Sequence, residues 1–375
     1  MSRFVDTVTA GFRTPRSADA VPSPVSTEKS LLGAVDAAEQ TPSAPIEVQH
    51  TGSNPISTAG DMPAPAPRKM LPDTDLSVYP FALGCGAFGW TADGDASMRI
   101  LDRHRELGGN FLDTADTYAT GRSEVLLGTW MRSRRARDTT VVATKIGRNH
   151  DFPGLSPRSI IGAVHASLER LGTDSIDLLY LHLDDQKVPL EESLGTVDSL
   201  MRAGLVRNLA ASNFSAERLM EARVLAANGL PRFVALQTEY NLVHRFEFES
   251  ALSLVARAQG LAVLPYFALA HGFLTGNYRV KADVSNDSRG NLIAPYLNRS
   301  ALRVLATLRR IADERGVAPA TVALAWLASR GMFAPVVSVT EPEQLDGIMA
   351  ALEIRLLRSE IHELDRASAK MSELP

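Results

Sequence analysis

The sequence predicts an α/β fold, namely a (β/α)8 TIM barrel that follows a disordered N-terminal extension. From residue 70 onward, short apolar runs typical of strands alternate with amphipathic stretches typical of helices. There are eight apolar runs, the number that closes a barrel of parallel strands, whereas open doubly wound sheets have five or six. We therefore expect a Pro/Ala/Ser-rich extension over residues 1–67 and a barrel over residues 68–375.

Each strand is expected where an apolar run is bounded by polar or turn-forming residues. The expected strands are Phe81–Cys85, Asn110–Asp113, Val141–Lys145, Leu178–His182, Val206–Ala210, Ala235–Thr238, Ala262–Pro265 and Val336–Val339. The clearest helices between them are Arg158–Leu171, Leu194–Ala203, Ala216–Ala226 and Phe246–Ala258. The first of these helices also has end signals, because Ser156-Pro157 fits an N-cap followed by proline and Gly172 fits a C-terminal glycine.

Two other stretches are expected to be irregular. The first 72 residues contain 10 of the 21 prolines and are otherwise rich in Ala, Ser and Thr. Such a segment buries too little apolar surface to offset the entropy of ordering it, so we expect disorder, with either no role or a docking role. The polar stretch Thr275–Asn298 has little periodicity and is expected to form a surface loop beside the barrel mouth.

The composition is that of an ordinary globular protein. The formal charge of −4 gives no reason to expect a nucleic-acid partner. Cys85 is the only cysteine, so no intrachain disulfide can form and no metal site is expected. No apolar run reaches the length of a membrane span, and the N-terminus lacks the apolar segment of a secretory signal. We therefore expect a cytoplasmic protein without membrane contacts, whose oligomeric state the sequence does not define.

Four polar residues lie at or just beyond the ends of these strands: Asp113, Tyr118, Lys145 and His182. The carboxyl ends of the strands are where α/β barrels keep their catalytic residues. Reduction of a carbonyl requires a proton donor for its oxygen, and the phenol of Tyr118 has too high an ordinary pKa, about 10, for easy transfer near neutrality. A nearby Lys145 would lower that pKa. Asp113 would hold Lys145, and His182 would orient the carbonyl and help to deliver the proton.

The same stretch resembles the signature segment of the aldo-keto reductases. It reads Gly108-Gly-Asn-Phe-Leu-Asp-Thr-Ala-Asp-Thr-Tyr118, followed by Gly121-Arg-Ser-Glu124, and the resemblance extends over residues 68–370. It implies a barrel that binds NAD(P)H across its C-terminal mouth without a Rossmann fold, with the stretch Leu71–Val78 as a hairpin closing the bottom. It also implies that the family's catalytic Asp, Tyr, Lys and His are the four residues named above.

The resemblance further implies the residues that hold the cofactor. These are Gly86, Ala87, Ser212, Asn213, Gln237, Tyr266, Leu269 and His271. At the adenosine end, Ser338, Thr340 and Gln344 are expected to contribute as neutral donors. Ser212, Asn213 and Gln237 would bind the nicotinamide carboxamide, and Tyr266 would stack on the ring. Backbone near Leu269 and His271 would meet the pyrophosphate, while Phe88 and Trp90 would line the substrate pocket.

The adenosine end of the cofactor site departs from the family pattern. Members that prefer NADPH commonly place Lys or Arg after the eighth strand, but Ser338–Ile348 contains no cation. A phosphate near Glu341 and Glu343 would lack its usual charge partner, although neutral donors and the following helix could bind it. The resemblance favours NADP(H), and the local chemistry leaves NAD(H) open.

The expected activity is NAD(P)(H)-dependent interconversion of an aldehyde or ketone and an alcohol, with Tyr118 as general acid and base. One alternative is a cofactor-binding regulatory subunit like the potassium-channel β subunits, which share this fold. Another is a lyase or isomerase, because the barrel by itself does not define chemistry. Asp184, where the family often has proline, adds negative charge after His182 and suggests sugar-like or cationic substrates rather than anionic ones.

Overall fold

The computed structural model describes residues 66–278, 280, 283 and 290–371, so nearly all of the predicted N-terminal extension lies outside the described residues. The strands are β1 (Lys69–Met70), β2 (Ser77–Val78), β3 (Ala82–Gly84), β4 (Phe111–Asp113), β5 (Val141–Ile146), β6 (Ile176–Leu181), β7 (Val206–Ser212), β8 (Phe233–Glu239), β9 (Ala262–Tyr266) and β10 (Val336–Val337). The helices are α1 (Gly94–Glu106), α2 (Arg122–Arg134), α3 (Pro157–Leu171), α4 (Leu190–Arg202), α5 (Ala216–Ala227), α6 (Ser253–Ala258), α7 (Gly290–Ile293), α8 (Arg299–Arg315), α9 (Pro319–Ser329), α10 (Gln344–Met349) and α11 (Arg358–Ala367).

The strands β3 to β10 form one parallel sheet, in the order β10-β3-β4-β5-β6-β7-β8-β9. Each neighbouring pair is parallel, as strands joined through crossover helices must be. A hydrogen bond of 2.9 Å from the Phe333 backbone N–H to Val263 O joins the two edges of the sheet just before β10. The eight strands therefore form a nearly closed barrel, and the predicted fold class is confirmed.

The hairpin of β1 and β2 closes the bottom of this barrel. Leu71, Leu76 and Val78 are buried among side chains that point into the barrel, such as Phe111 and Leu178. The side chain of Asn110 fixes the hairpin, because its Nδ2 donates to Ser77 O at 2.9 Å and its Oδ1 accepts from the Tyr79 N–H at 2.8 Å. The end opposite the carboxyl termini of the strands is thus sealed by apolar side chains.

The helices pack around the barrel, and one pair approaches very closely. A Cβ atom added at Gly128 in α2 would lie 2.5 Å from the carbonyl oxygen of Leu171 in α3, so only glycine allows this approach. In α3 the predicted end signals are present: the Ser156 hydroxyl accepts from the Ser159 N–H, and Gly172 ends the helix in the left-handed conformation.

Three predicted elements differ in detail. The helix predicted from Leu194 begins one turn earlier, at Leu190, after Pro189. The helix predicted over residues 246–258 begins as a π-helix, Phe248–Leu252, which is kinked at Ser250, a residue with a non-helical backbone. The predicted loop over residues 275–298 contains the short helix α7 in its described part. None of the helices in the described part of the chain has the length and apolar character needed to cross a membrane.

Candidate active site

The four predicted catalytic residues lie together at the carboxyl ends of β4, β5 and β6. Asp113 is the last residue of β4, Lys145 lies in β5, and His182 directly follows β6. Tyr118 begins a short 3-10 turn after β4, and its ring meets that of His182 edge-on, with centroids 6.4 Å apart. The barrel therefore places an acid, an ammonium, a phenol and an imidazole in one cluster.

Lys145 is the centre of this cluster. Its Nζ donates to Asp113 Oδ1 at 2.5 Å, to Thr114 O at 2.8 Å and to Tyr118 Oη at 3.3 Å, which uses all three protons of the ammonium. Asp113 and Lys145 are both buried, and Asp113 Oδ2 accepts from Gln237 Nε2 at 2.8 Å. A buried ion pair is stable only when its remaining polar atoms are also bonded, a condition that this network meets.

The charge states of Lys145 and His182 follow from these surroundings. Burial alone would lower the pKa of Lys145, but Asp113 and Tyr118 raise it above its ordinary value of 10.5, so the ammonium stays charged. Burial lowers the pKa of His182 well below 6.5, and the positive charges of Lys145 and Arg148 lower it further. His182 is therefore a neutral imidazole at physiological pH, suited to donating a hydrogen bond rather than carrying a charge.

The pKa of Tyr118 differs from the prediction. Burial raises it above 10, and the opposing effect of Lys145 lowers it by less than burial raises it. Lys145 lowers the pKa of Tyr118, as expected. The prediction that this pKa is lowered overall is wrong, because the effect of burial is larger. The phenol is thus protonated at neutral pH, as a proton donor must be, and Lys145 is placed to stabilise the phenolate once the proton has left.

The residues predicted to bind the nicotinamide carboxamide lie beside this cluster. Ser212 ends β7, and Asn213 follows with a positive φ of 60°. The Asn213 side chain donates from Nδ2 to His182 O at 2.9 Å and accepts at Oδ1 from Tyr266 Oη at 2.8 Å. One amide thus joins His182 to the tyrosine that is predicted to stack on the nicotinamide.

The loop after β9 has an irregular backbone of the kind found at ligand sites. Phe267, Ala270 and His271 all have positive φ although none of them is glycine. Gly86, just after β3, faces the Tyr118 ring, since a Cβ there would lie 3.8 Å from that ring. The flat ring of Tyr266, a glycine without a side chain at position 86 and the polar side chains of Ser212, Asn213 and Gln237 fit a nicotinamide with its carboxamide.

The predicted adenosine end lies after β10. Ser338 and Gln344 are exposed, and Thr340 is partly exposed. The Thr340 N–H donates to Gln344 Oε1 at 3.0 Å, which closes a local turn before the short helix α10. In that helix Asp346 accepts a hydrogen bond from Arg103 of α1 at 2.6 Å. Arg103, the cation that contacts this helix, therefore already has an acidic partner.

The two residues predicted to line the substrate pocket, Phe88 and Trp90, differ in their exposure to solvent. Trp90 is 57% exposed, whereas Phe88 is fully buried in the core and its ring faces neighbouring side chains rather than an open pocket. Asp184 accepts from Arg218 Nε at 2.8 Å, and its side chain is mostly buried. Arg218 therefore balances the negative charge on which the expected preference for sugar-like or cationic substrates was based.

A statistical description of the aldo/keto reductase family matches residues 80–369. The chain belongs to the aldo/keto reductase family. It is 33% identical to a norsolorinic acid reductase of Emericella nidulans over 329 residues, which cover 81% of this chain and 83% of that protein. It is also 33% identical to a probable voltage-gated potassium channel subunit beta of Oryza sativa subsp. japonica, covering 77% of this chain and 91% of that protein. A versiconal hemiacetal acetate reductase of Aspergillus parasiticus is 27% identical, covering 79% of this chain and 95% of that protein.

This aldo/keto reductase has two features at the site that the sequence alone did not reveal. Asp116 is fully buried behind Lys145, and neither of its carboxyl oxygens has a hydrogen-bond partner within the described residues. Burial raises its pKa from 3.8 to about 7. Arg148 lies in the loop after β5 with its side chain exposed. Asp116 stands in the signature segment, but only the three-dimensional contacts distinguish it from its neighbours.

Proposed function

We propose that this chain is an NADP(H)-dependent oxidoreductase that interconverts a small-molecule aldehyde or ketone and the corresponding alcohol. The observation that supports this most strongly is that one ammonium, Lys145, contacts both a buried carboxylate and a phenol that faces the barrel mouth. Reductase names among the relatives agree with it. The cytoplasmic location expected from the sequence is part of the same proposal.

Tyr118 is the general acid of the reduction. NADPH, when bound, would supply the hydride for the carbonyl carbon, and Tyr118 Oη would donate the proton to the carbonyl oxygen. The ammonium of Lys145 stabilises the phenolate that remains, and Asp113 keeps that ammonium in place. His182, as a neutral imidazole, donates a hydrogen bond that orients the carbonyl oxygen. In the oxidation of an alcohol Tyr118 acts as the base.

The cofactor is held by the residues that the sequence analysis named. Ser212, Asn213 and Gln237 provide groups for the carboxamide, and Tyr266 provides a ring for stacking. Gln237 would share its amide between Asp113 and the carboxamide. NADP(H) is proposed because the family favours it, with NAD(H) as the competing outcome, since the stretch after β10 carries acids rather than cations. Dissociation constants for NADPH and NADH on the wild-type protein decide between them.

The test compares the wild type with Tyr118→Phe, and the absorbance of the reduced nicotinamide is followed with a panel of aldehydes and ketones. We expect turnover to fall by at least about a hundredfold while cofactor affinity is kept. Tyr240→Phe is the matched control, because Tyr240 is also a buried tyrosine but donates to Glu249, away from the cluster. Equal turnover of wild type and Tyr118→Phe would contradict the proposed role.

A second candidate function is a cofactor-binding regulatory subunit, and the similarity to plant proteins named as potassium channel β subunits favours it. In that case the same residues hold the cofactor, and reduction is slow or absent. The outcome that supports it is tight NADPH binding together with negligible turnover in the wild type and in Tyr118→Phe. Rapid turnover that depends on Tyr118 contradicts it.

A further inference from the structure

Arg148 occupies a fixed place at the barrel mouth. It is the second residue after β5, the strand that carries Lys145. The loop that contains it is closed by a hydrogen bond from the Gly154 N–H to Gly147 O at 2.8 Å. The next residue, Asn149, donates from its side chain to Asp116 O at 2.9 Å. The backbone on both sides of Arg148 is therefore held, while its side chain is exposed.

This guanidinium differs from the other charges around the site because it has no ion pair or hydrogen bond with any residue that the structure describes. Lys145 is bonded to Asp113, and Asp184 is bonded to Arg218. Asp185 is also engaged, since its Oδ2 accepts from the Leu155 N–H at 2.8 Å. An arginine without a partner has five donors ready for an anion.

The loop that carries Arg148 lies on the side of the mouth where the carbonyl would be reduced. The His182 N–H donates to Ile146 O at 2.9 Å, so the backbone two residues before Arg148 touches the catalytic histidine. The positive charge of Arg148 also changes the pKa of two residues at the site. It lowers the pKa of His182 after burial and Lys145, and it opposes the rise in the pKa of Tyr266 that burial and Glu239 cause.

The opposite wall carries the reverse charge. Glu239 ends β8, is partly buried, and lies near His244, whose Nδ1 is 3.8 Å from Glu239 Oε1. Counting only partners among the described residues, the mouth therefore has an unpaired cation on the β5 side and a carboxyl group on the β8 side. A substrate that carries an anionic group is attracted to the first side and repelled from the second, which fixes its direction.

We propose that Arg148 is a specificity-determining residue that binds a carboxylate on the substrate, so that the preferred substrates are oxo-acids whose carbonyl lies at Tyr118 and His182. This inference rests on the proposed function. It replaces the expectation from Asp184, whose charge is balanced. Arg148 forms a charge-assisted hydrogen bond with the carboxylate and takes no part in the proton transfer.

The test uses terephthalaldehydic acid, an aromatic aldehyde with a para carboxylate, and its methyl ester. The wild type is expected to have the higher kcat/KM for the acid. Arg148→Ala is expected to lower the ratio of kcat/KM for acid over ester by about ten- to a hundredfold, mainly through KM. Arg148→Lys should restore part of this ratio. Raising the salt concentration should increase KM for the acid more than for the ester.

His150→Ala is the matched control, because His150 is in the same loop with its side chain in solvent. It should leave the ratio unchanged. A ratio that is equal in wild type, Arg148→Ala and Arg148→Lys would overturn the inference while leaving the reductase proposal intact. So would a wild type that prefers the ester. If neither aldehyde nor any other carbonyl compound is reduced, the proposed function fails and the inference fails with it.

Discussion

The buried carboxyl group of Asp116 should make the stability of the folded protein depend on pH. This group is fully buried, and the backbone of Asp116 is held by an N–H bond to Lys145 O at 3.1 Å and by the side chain of Asn149. Burial is the largest cause that raises its pKa from 3.8 to about 7, and the negative charge of Glu124 raises it further. Arg170 and Lys145 lower it by less.

The sign of the pH dependence follows from this raised pKa. Between pH 4 and pH 7 the folded protein holds a proton on Asp116 that the unfolded chain has lost, so the free energy of unfolding falls as the pH rises. A shift of about 3 pH units at about 1.4 kcal/mol each gives a total of about 4 kcal/mol. Of this, about 2 to 3 kcal/mol is lost between pH 5 and pH 8.

The Asp116→Asn variant removes this titration and keeps the shape of the side chain. Relative to the wild type, we expect it to gain about 2 to 3 kcal/mol in free energy of unfolding on going from pH 5 to pH 8. Urea unfolding without cofactor at the two pH values measures this difference. The exposed Asp174 supplies the control Asp174→Asn, which should show no such change. A gain that is the same at both pH values would refute the reasoning.

Two further predictions concern packing. Gly128→Ala should destabilise the protein by about 1 to 3 kcal/mol, because its methyl group meets the carbonyl of Leu171. At Gly195 in α4 an added methyl group would lie in open space, so Gly195→Ala should be neutral or stabilise the protein by up to about 1 kcal/mol. Equal effects of the two glycine substitutions on urea unfolding would contradict this reasoning. Leu76→Ala should cost about 2 to 5 kcal/mol by leaving a cavity at the barrel bottom, and a change under 1 kcal/mol by the same measurement would show that the hairpin is not part of the core.

The strands were predictable because nearly all their residues are buried on both faces, which makes them continuous apolar runs. Boundaries were less predictable. The last strand was expected to reach Val339 but ends at Val337, since pairing with β3 covers only two residues. The π-helix before α6 depends on the backbone of Ser250, for which the sequence contains no turn or cap signal.

At the site, the sequence was sufficient where residue type and strand order defined the geometry. Asp113 and Lys145 meet because their strands are neighbours, and parallel pairing fixes which ends come together. The sequence was insufficient where the balance of a charge depends on partners that are far away along the chain. Arg218, which balances Asp184, lies 34 positions away along the chain. That Arg148 has no partner among the described residues is likewise visible only in three dimensions.

The hairpin at the barrel bottom has a consequence for the order in which the chain folds. Leu71, Leu76 and Val78 leave the ribosome before the strands they cover, yet they pack against Leu264 and Val336 near the other end of the sequence. These contacts form only after the last strand has been synthesised. The entropy lost in closing so long a loop is therefore lost late in folding. Until then the first apolar residues of the barrel lack part of their partners, and chains interrupted during synthesis leave them partly exposed. The part of the barrel that is translated first is thus the part whose burial is completed last.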